Sequence, residues 1–239
     1  MSGRRTLNSA PFTGRTGRGV RVAVVDSGIA LGHPHVGAVA AGVSLLESGA
    51  DPYDYRDRLG HGTAVAGAIR EKAPDIELMA VRIFDRELKA TGSVLARAIR
   101  WAADNGAQLI NLSLGTPNEA RRELLIEAVE YAAERRAIVV AAAEHNGAQV
   151  YPGALAGAVG VLLDADCARD EMLVLNAAPG FVRLAASGYP RPIPGVPPER
   201  NISGLSFAIA NVTGFLARVC EGADLRGWLA THGIAGDIS

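Results

Sequence analysis

The sequence predicts an α/β protein: a doubly wound, mostly parallel β-sheet with helices on both faces, built as a single domain. Three observations carry this expectation. Continuous apolar runs rich in β-branched residues, such as Val20-Arg21-Val22-Ala23-Val24-Val25, suit strands buried on both faces. Such runs alternate with helical stretches of about 10–15 residues, the pattern of parallel strands joined by crossover helices. The chain of 239 residues contains no internal repeat, low-complexity tract or linker, which fits one large domain.

The first core strand, residues 20–25, stops at Asp26-Ser27-Gly28, a turn signal. Residues 76–84 read as a strand, 93–103 as a helix and 108–112 as a strand. Residues 119–135 place Leu124, Leu125, Ala128, Val129 and Ala132 at the spacing of an amphipathic helix. Two more strands follow at 137–142 and 158–163. Between 178 and 198 Pro and Gly are frequent, predicting loop and short irregular strands. A late helix is expected over 207–220 and a short terminal one over 225–232. Residues 1–18 are expected to be an irregular extension.

Composition narrows the function classes. The chain is 49% hydrophobic and 21% charged, with a net charge of −1. Twenty-two of its 24 basic residues are Arg, scattered in pairs at most, so there is no electrostatic footprint for nucleic acid or an anionic membrane. No stretch of 18 apolar residues could span a bilayer. Behind Arg4-Arg5 there is no apolar run of the kind a secretory signal needs, so a cytoplasmic protein is expected. Cys167 and Cys220 form no CxxC pair, His33 and His35 lack an acidic or thiol neighbour, and no metal is expected. Neither a GxGxxG after a strand nor a Walker sequence is present, and no organic cofactor is expected.

Three polar residues stand where chemistry is done. Asp26 ends a core strand, and the carboxyl ends of parallel strands face the ligand crevice. His61 lies in Gly60-His61-Gly62-Thr63-Ala64-Val65-Ala66-Gly67, where glycines permit close backbone approach at a helix start. Ser206 lies in Gly204-Leu205-Ser206-Phe207-Ala208, again opening an apolar helix. Singly these read as a turn residue, a structural histidine and an N-cap. Together they are a carboxylate, an imidazole and a hydroxyl. A serine becomes nucleophilic when an imidazole accepts its proton, and the imidazole needs a carboxylate to hold its tautomer.

These segments resemble the subtilisin-like serine peptidases (subtilases), from about residue 19 to 214. Val22-Ala23-Val24-Val25-Asp26-Ser27-Gly28-Ile29, followed by His33-Pro34, is similar to the family's aspartate motif. The segment around His61 is similar to its histidine motif, and the one around Ser206 to its serine motif. Asn111-Leu112-Ser113-Leu114-Gly115 resembles the strip that pairs with the substrate backbone. Tyr151-Pro152 and Ala178-Pro179-Gly180 resemble further landmarks in the same order.

The resemblance implies a serine endopeptidase acting through an acyl-enzyme: Asp26 orients, His61 is general base and then acid, and Ser206 is the nucleophile. A peptide or protein substrate would lie as an extended strand along Ser113, Leu114 and Gly115. The chain also departs from the family pattern. Where the family has its oxyanion asparagine, Ala141-Ala142-Ala143-Glu144-His145-Asn146 aligns His145, and a one-residue slip would bring in Asn146. Val150 falls where a Gly commonly floors the specificity pocket, which predicts small or modest side chains on the acyl side of the cut. Leu205 replaces Thr, Ala210-Asn211 replaces Pro-His, and the family's calcium-binding insertion is missing after Ile69. Narrow specificity, for instance removal of a leader from a precursor peptide, is the expectation. Two alternatives stay open: a pseudo-peptidase that only binds extended peptides, to which the altered oxyanion position points, and a transamidase in which an amine resolves the acyl-enzyme. The sequence leaves the oligomeric state undetermined.

Overall fold

The computed structural model of the protein describes residues 5–8, 13–175, 178 and 180–231. In chain order the elements are β1 (Arg5–Asn8), β2 (Arg21–Asp26), β3 (Val39–Leu46), β4 (Gly49–Asp51), α1 (His61–Lys72), β5 (Glu77–Arg82) and α2 (Gly92–Asp104). They continue with β6 (Leu109–Leu112), α3 (Arg122–Glu134), β7 (Ile138–Ala142), β8 (Glu144–His145), β9 (Ala148–Gln149), β10 (Val159–Leu163), β11 (Glu171–Val174), β12 (Val182–Ala186), α4 (Leu205–Cys220) and α5 (Leu225–Thr231).

Ten strands form one sheet in the order β1-β11-β12-β10-β7-β6-β2-β5-β3-β4. From β12 to β3 every pairing is parallel. Only the margins, β1–β11–β12 on one side and β4 on the other, run antiparallel. The expected doubly wound α/β architecture is therefore the observed one.

The period-2 alternation of a strand divides the core between the two faces. Val22 and Val24 of β2 pack with Val65 and Ile69 of α1 and Phe215 of α4. Ala23 and Val25, pointing the other way, pack with Leu95 and Ile99 of α2 and Leu125 of α3. Burying each such Val, Leu, Ile or Phe contributes about 1.5–3 kcal/mol, so both helix layers are firmly held. Asp26 continues the Val22–Val24 series and therefore projects to the α1/α4 face.

The structure corrects two expectations. Residues 5–8, expected to be irregular, form β1, antiparallel to β11; Leu7 packs against the core and holds it there. Residues 182–186 are a regular strand, β12, paired parallel with β10. The prolines and glycines that predicted irregularity flank it, and Val182, Leu184 and Ala186 fill the α4 face. The helix expected over 119–135 starts with a 3-10 turn, Glu119–Arg121, with the Asn118 side chain accepting from the Ala120 N–H. His232 lies outside the described residues.

Candidate active site

Three neighbouring strands deliver the site. β7, β6 and β2 are adjacent in the sheet, and their carboxyl ends release the 143–150 segment, Ser113-Leu114-Gly115 and Asp26, respectively. A parallel sheet puts such ends on one edge. α1 and α4, packed together on one face, bring His61 and Ser206 to that edge from their N-termini.

Asp26 is fully buried, and its Oδ1 accepts the Ser27 backbone N–H at 2.7 Å. The same oxygen lies 2.7 Å from His61 Nδ1. A carboxylate only accepts, so Nδ1 carries the hydrogen and Nε2 keeps its lone pair. Burial pushes the His61 pKa down. The hydrogen bond to Asp26, followed by the charges of Asp26 and Asp57, more than offsets this and leaves it above the ordinary histidine value.

His61 is the first residue of α1, and the backbone around it has little latitude. Gly60 precedes it at φ 84°, a left-handed conformation that costs other residues strain. At Gly62 a Cβ would stand 2.2 Å from the Gly28 carbonyl oxygen and 3.1 Å from Asp26 Cβ. The glycine thus lets the helix start approach the end of β2 closely enough for the Asp26–His61 bond. Ser27 Oγ accepts the Gly62 N–H at 2.9 Å and Asp57 Oδ2 accepts the Thr63 N–H at 2.9 Å, so two first-turn donors are satisfied from outside the helix.

Ser206 is the second residue of α4 and half-buried. Its N–H belongs to a first turn whose donors have no acceptor within the helix, at the positive end of a 16-residue dipole. The next residue, Phe207, has its ring 5.9 Å from the His61 ring, centroid to centroid. Among the described residues no hydrogen bond joins the Ser206 hydroxyl to His61; contacts of this type are commonly long in unliganded sites.

The cleft edge is tied to α4 from below. Thr213 Oγ1 donates to Asn111 Oδ1 at 3.0 Å, and Asn111 Nδ2 donates to Ser113 Oγ at 3.2 Å. Asn111 and Thr213 are both fully buried. Gly115 lies against Val150: a Cβ there would meet Val150 Cγ1 at 2.3 Å. Thr116 and Tyr151 exchange both backbone hydrogen bonds at 2.9 Å, locking the two segments side by side. The structure thus brings Ser113, Leu114, Gly115 and Val150 to one wall.

His145 and Asn146 are exposed on the β8–β9 hairpin that follows β7. Asn146 (φ 52°) and Gly147 (φ 79°) occupy its two-residue turn, the Asn-Gly signature of a type I′ hairpin. Asn146 Nδ2 lies 3.3 Å from His145 Nε2. The turn fixes the backbone of Asn146, His145 is a strand residue, and the side chains of both are exposed. Sequence reasoning missed the contribution of Asp57, whose one signal was an acidic residue four positions before His61. Among the described residues no cluster of three or more His, Cys, Asp or Glu could hold a metal ion, and no helix is long and apolar enough to cross a membrane.

The family model described as "Subtilase family" matches residues 17–165. The chain is 34% identical over 221 residues to Subtilisin BL of Lederbergia lenta, covering 88% of this chain and 76% of that protein. It is 39% identical over 140 residues to the "Thermophilic serine proteinase" of Bacillus sp. (strain AK1), covering 54% of this chain but only 34% of that protein's length. The solved structure of "Sphericase" superposes with a TM-score of 0.68 at 25% identity, over 90% of this chain and 83% of its own. With the fold and the order of its segments in agreement, the chain belongs to the subtilase family of serine endopeptidases.

Proposed function

We propose that this chain hydrolyses peptide bonds through an acyl-enzyme on Ser206. Ser206 Oγ adds to the scissile carbonyl carbon as its proton passes to His61 Nε2; the C–N bond then breaks, and the leaving amine takes that proton. A water molecule, deprotonated by the same nitrogen, adds to the ester carbonyl, and its proton returns to Ser206 as the acid leaves. Asp26 holds the Nδ1–H tautomer and stabilises the imidazolium. The observation that carries this reading is the 2.7 Å bond from His61 to a fully buried carboxylate, with the His61 ring beside the first turn of α4.

The Ser206 N–H supplies one donor to the developing oxyanion, and the His145 ring the second; its support is its place on the exposed hairpin after β7, where it aligns without a gap with the family's oxyanion asparagine. The substrate adds as an extended strand along Ser113, Leu114 and Gly115. Val150, buried against Gly115, limits the acyl-side pocket to small or modest side chains. Such narrowness suits the processing of a precursor peptide, and the free, buried Cys167 and Cys220 suit a reducing, cytoplasmic setting.

The test is digestion of a proteome-derived peptide library in H₂¹⁸O, read by mass spectrometry. Cuts after Ala- or Ser-like residues, each leaving one ¹⁸O in the new carboxyl group, are the expected result. Ligated or cyclised products without the label would overturn hydrolysis, and efficient cutting after Phe or Tyr would overturn the role of Val150.

A further inference from the structure

The segment before α1 contains a carboxylate that the triad does not use. Asp57 accepts five hydrogen bonds. Its Oδ1 takes the Ser27 hydroxyl at 2.8 Å and the N–H groups of Leu59 at 2.9 Å and Gly60 at 2.8 Å. Its Oδ2 takes the Thr63 N–H at 2.9 Å and the Thr63 hydroxyl at 2.6 Å. The partners flank the two hydrogen-bonded residues: Ser27 follows Asp26, and Leu59, Gly60 and Thr63 surround His61. The Ser27 hydroxyl closes the circuit by accepting the Gly62 N–H at 2.9 Å. The segment is itself anchored from β5, where the buried Arg82 reaches Asp54 at 3.0 Å and Asp85 at 2.8 Å.

We infer that Asp57 is a positioning residue for His61, clamping the end of β2 to the first turn of α1 and adding a second negative charge behind the imidazole. This rests on the reading of Asp26, His61 and Ser206 as the catalytic triad. Two features fit a clamp rather than an ordinary cap. Gly60, the residue at the cap position, contributes no side-chain bond to the helix, so that task falls to a residue three positions earlier. The clamp also reaches across to Ser27, beyond its own loop.

The groups that act on this site come from every neighbouring segment. Asp26 from β2 bonds to His61 directly, and Phe207 from α4 is uncharged. His33 and His35, from the connection after β2, and Arg191, from the segment before α4, share with Asp57 the lining of a cavity of about 510 Å³. Arg58 turns away to Asp54, at 2.6 Å, and Asp85. Of all these, only Asp26 and Asp57 hold the His61 pKa up. The hydrogen bonds from Thr63, Leu59 and Ser27 overcome burial and keep Asp57 itself below the ordinary aspartate value, so it is charged wherever His61 titrates.

The experiment is the pH profile of kcat/KM, with kcat, for the wild-type chain and the variants Asp57→Asn, Asp57→Glu and Ser27→Ala, with thermal unfolding and fluorophosphonate labelling alongside. Asp57→Asn should move the acidic limb to lower pH and cut kcat about tenfold or more, the scale of a small misplacement of a catalytic group. Asp57→Glu should restore the limb but not kcat, and Ser27→Ala should lower kcat without moving the limb. A folded Asp57→Asn variant with the wild-type limb and undiminished kcat would overturn the inference. Should Asp57→Asn fail to fold, Ser27→Ala decides: unchanged kcat would overturn the clamp. A wild-type chain that neither turns over nor labels at Ser206 would instead sink the triad reading.

Discussion

Two regions of the candidate site are built on different principles. On the wall that carries Asp26 and His61, side chains and backbone are locked by converging hydrogen bonds: 2.7 Å from His61 to the fully buried Asp26, and five on the half-buried Asp57. Glycines at 60 and 62 are required there by a left-handed φ and by a contact of 2.2 Å. At the carboxyl end of β7, two strands along the sheet from β2, His145 and Asn146 sit on an exposed two-strand hairpin. That hairpin is specified by the chirality of an Asn-Gly turn, and a Cβ at Gly147 would meet nothing within 4 Å. Groups fixed by a many-membered hydrogen-bond network admit few alternative residues. A side chain displayed from an exposed hairpin is under no such constraint.

The sharpest way to break this comparison is to remove the general base. His61→Ala should lower kcat by about 10⁴-fold or more, measured on any peptide that the wild-type chain cleaves. Next in size is the pair on the hairpin. His145→Ala should cost about 10²–10³ in turnover, the loss seen when an oxyanion donor is removed, and Asn146→Ala should cost little at the same pH. A reversed result would assign the donor to Asn146; two silent variants would mean the hole is built elsewhere.

Matched glycine replacements then compare the two regions directly. Gly62→Ala should push α1 off β2, with turnover falling about 10²-fold and stability by about 1–3 kcal/mol. Gly147→Ala meets no clash and should cost only about 1–2 kcal/mol of left-handed strain. Equal effects on activity would erase the distinction. Val150→Gly should improve cleavage after larger residues by roughly 10–200-fold relative to Ala, the range of a shape change in an apolar pocket, as competing-substrate assays would show.

The smallest effect is on stability against pH. The folded-state pKa of His61 is raised, so its contribution is fully present below the unfolded histidine pKa of about 6.5 and is lost as pH rises through the folded value. The wild-type thermal midpoint should therefore fall relative to that of His61→Ala across this window. Activity runs the opposite way, because the base must be neutral: kcat/KM should rise with pH through the same raised value.

Much of this was legible from sequence. β2, β5, β6 and β7 are apolar on both faces, so their runs are continuous, and α2 and α3 show helical spacing. β3, with Ala40, Ala41 and Gly42 in a half-exposed strand, has no such signature; β12 is masked by the prolines and glycines around it. At the candidate site, Asp26, His61 and Ser206 could be singled out because each stands at the end of a strong element. Asp57 could not, because its role arises from bonds among segments 30 residues apart. Nor could the hairpin at 144–149, where the Asn-Gly turn was present but its strands are only two residues long.

The central claim is that Ser206 is activated by His61, and covalent labelling tests it most directly. A fluorophosphonate probe should add one phosphonyl group to the peptide containing Ser206, faster as pH rises through the His61 titration, and should leave both Ser206→Ala and His61→Ala unlabelled on the same timescale. Labelling of Ser206 at an unchanged rate in His61→Ala, or no labelling of the folded wild-type chain, would contradict the account.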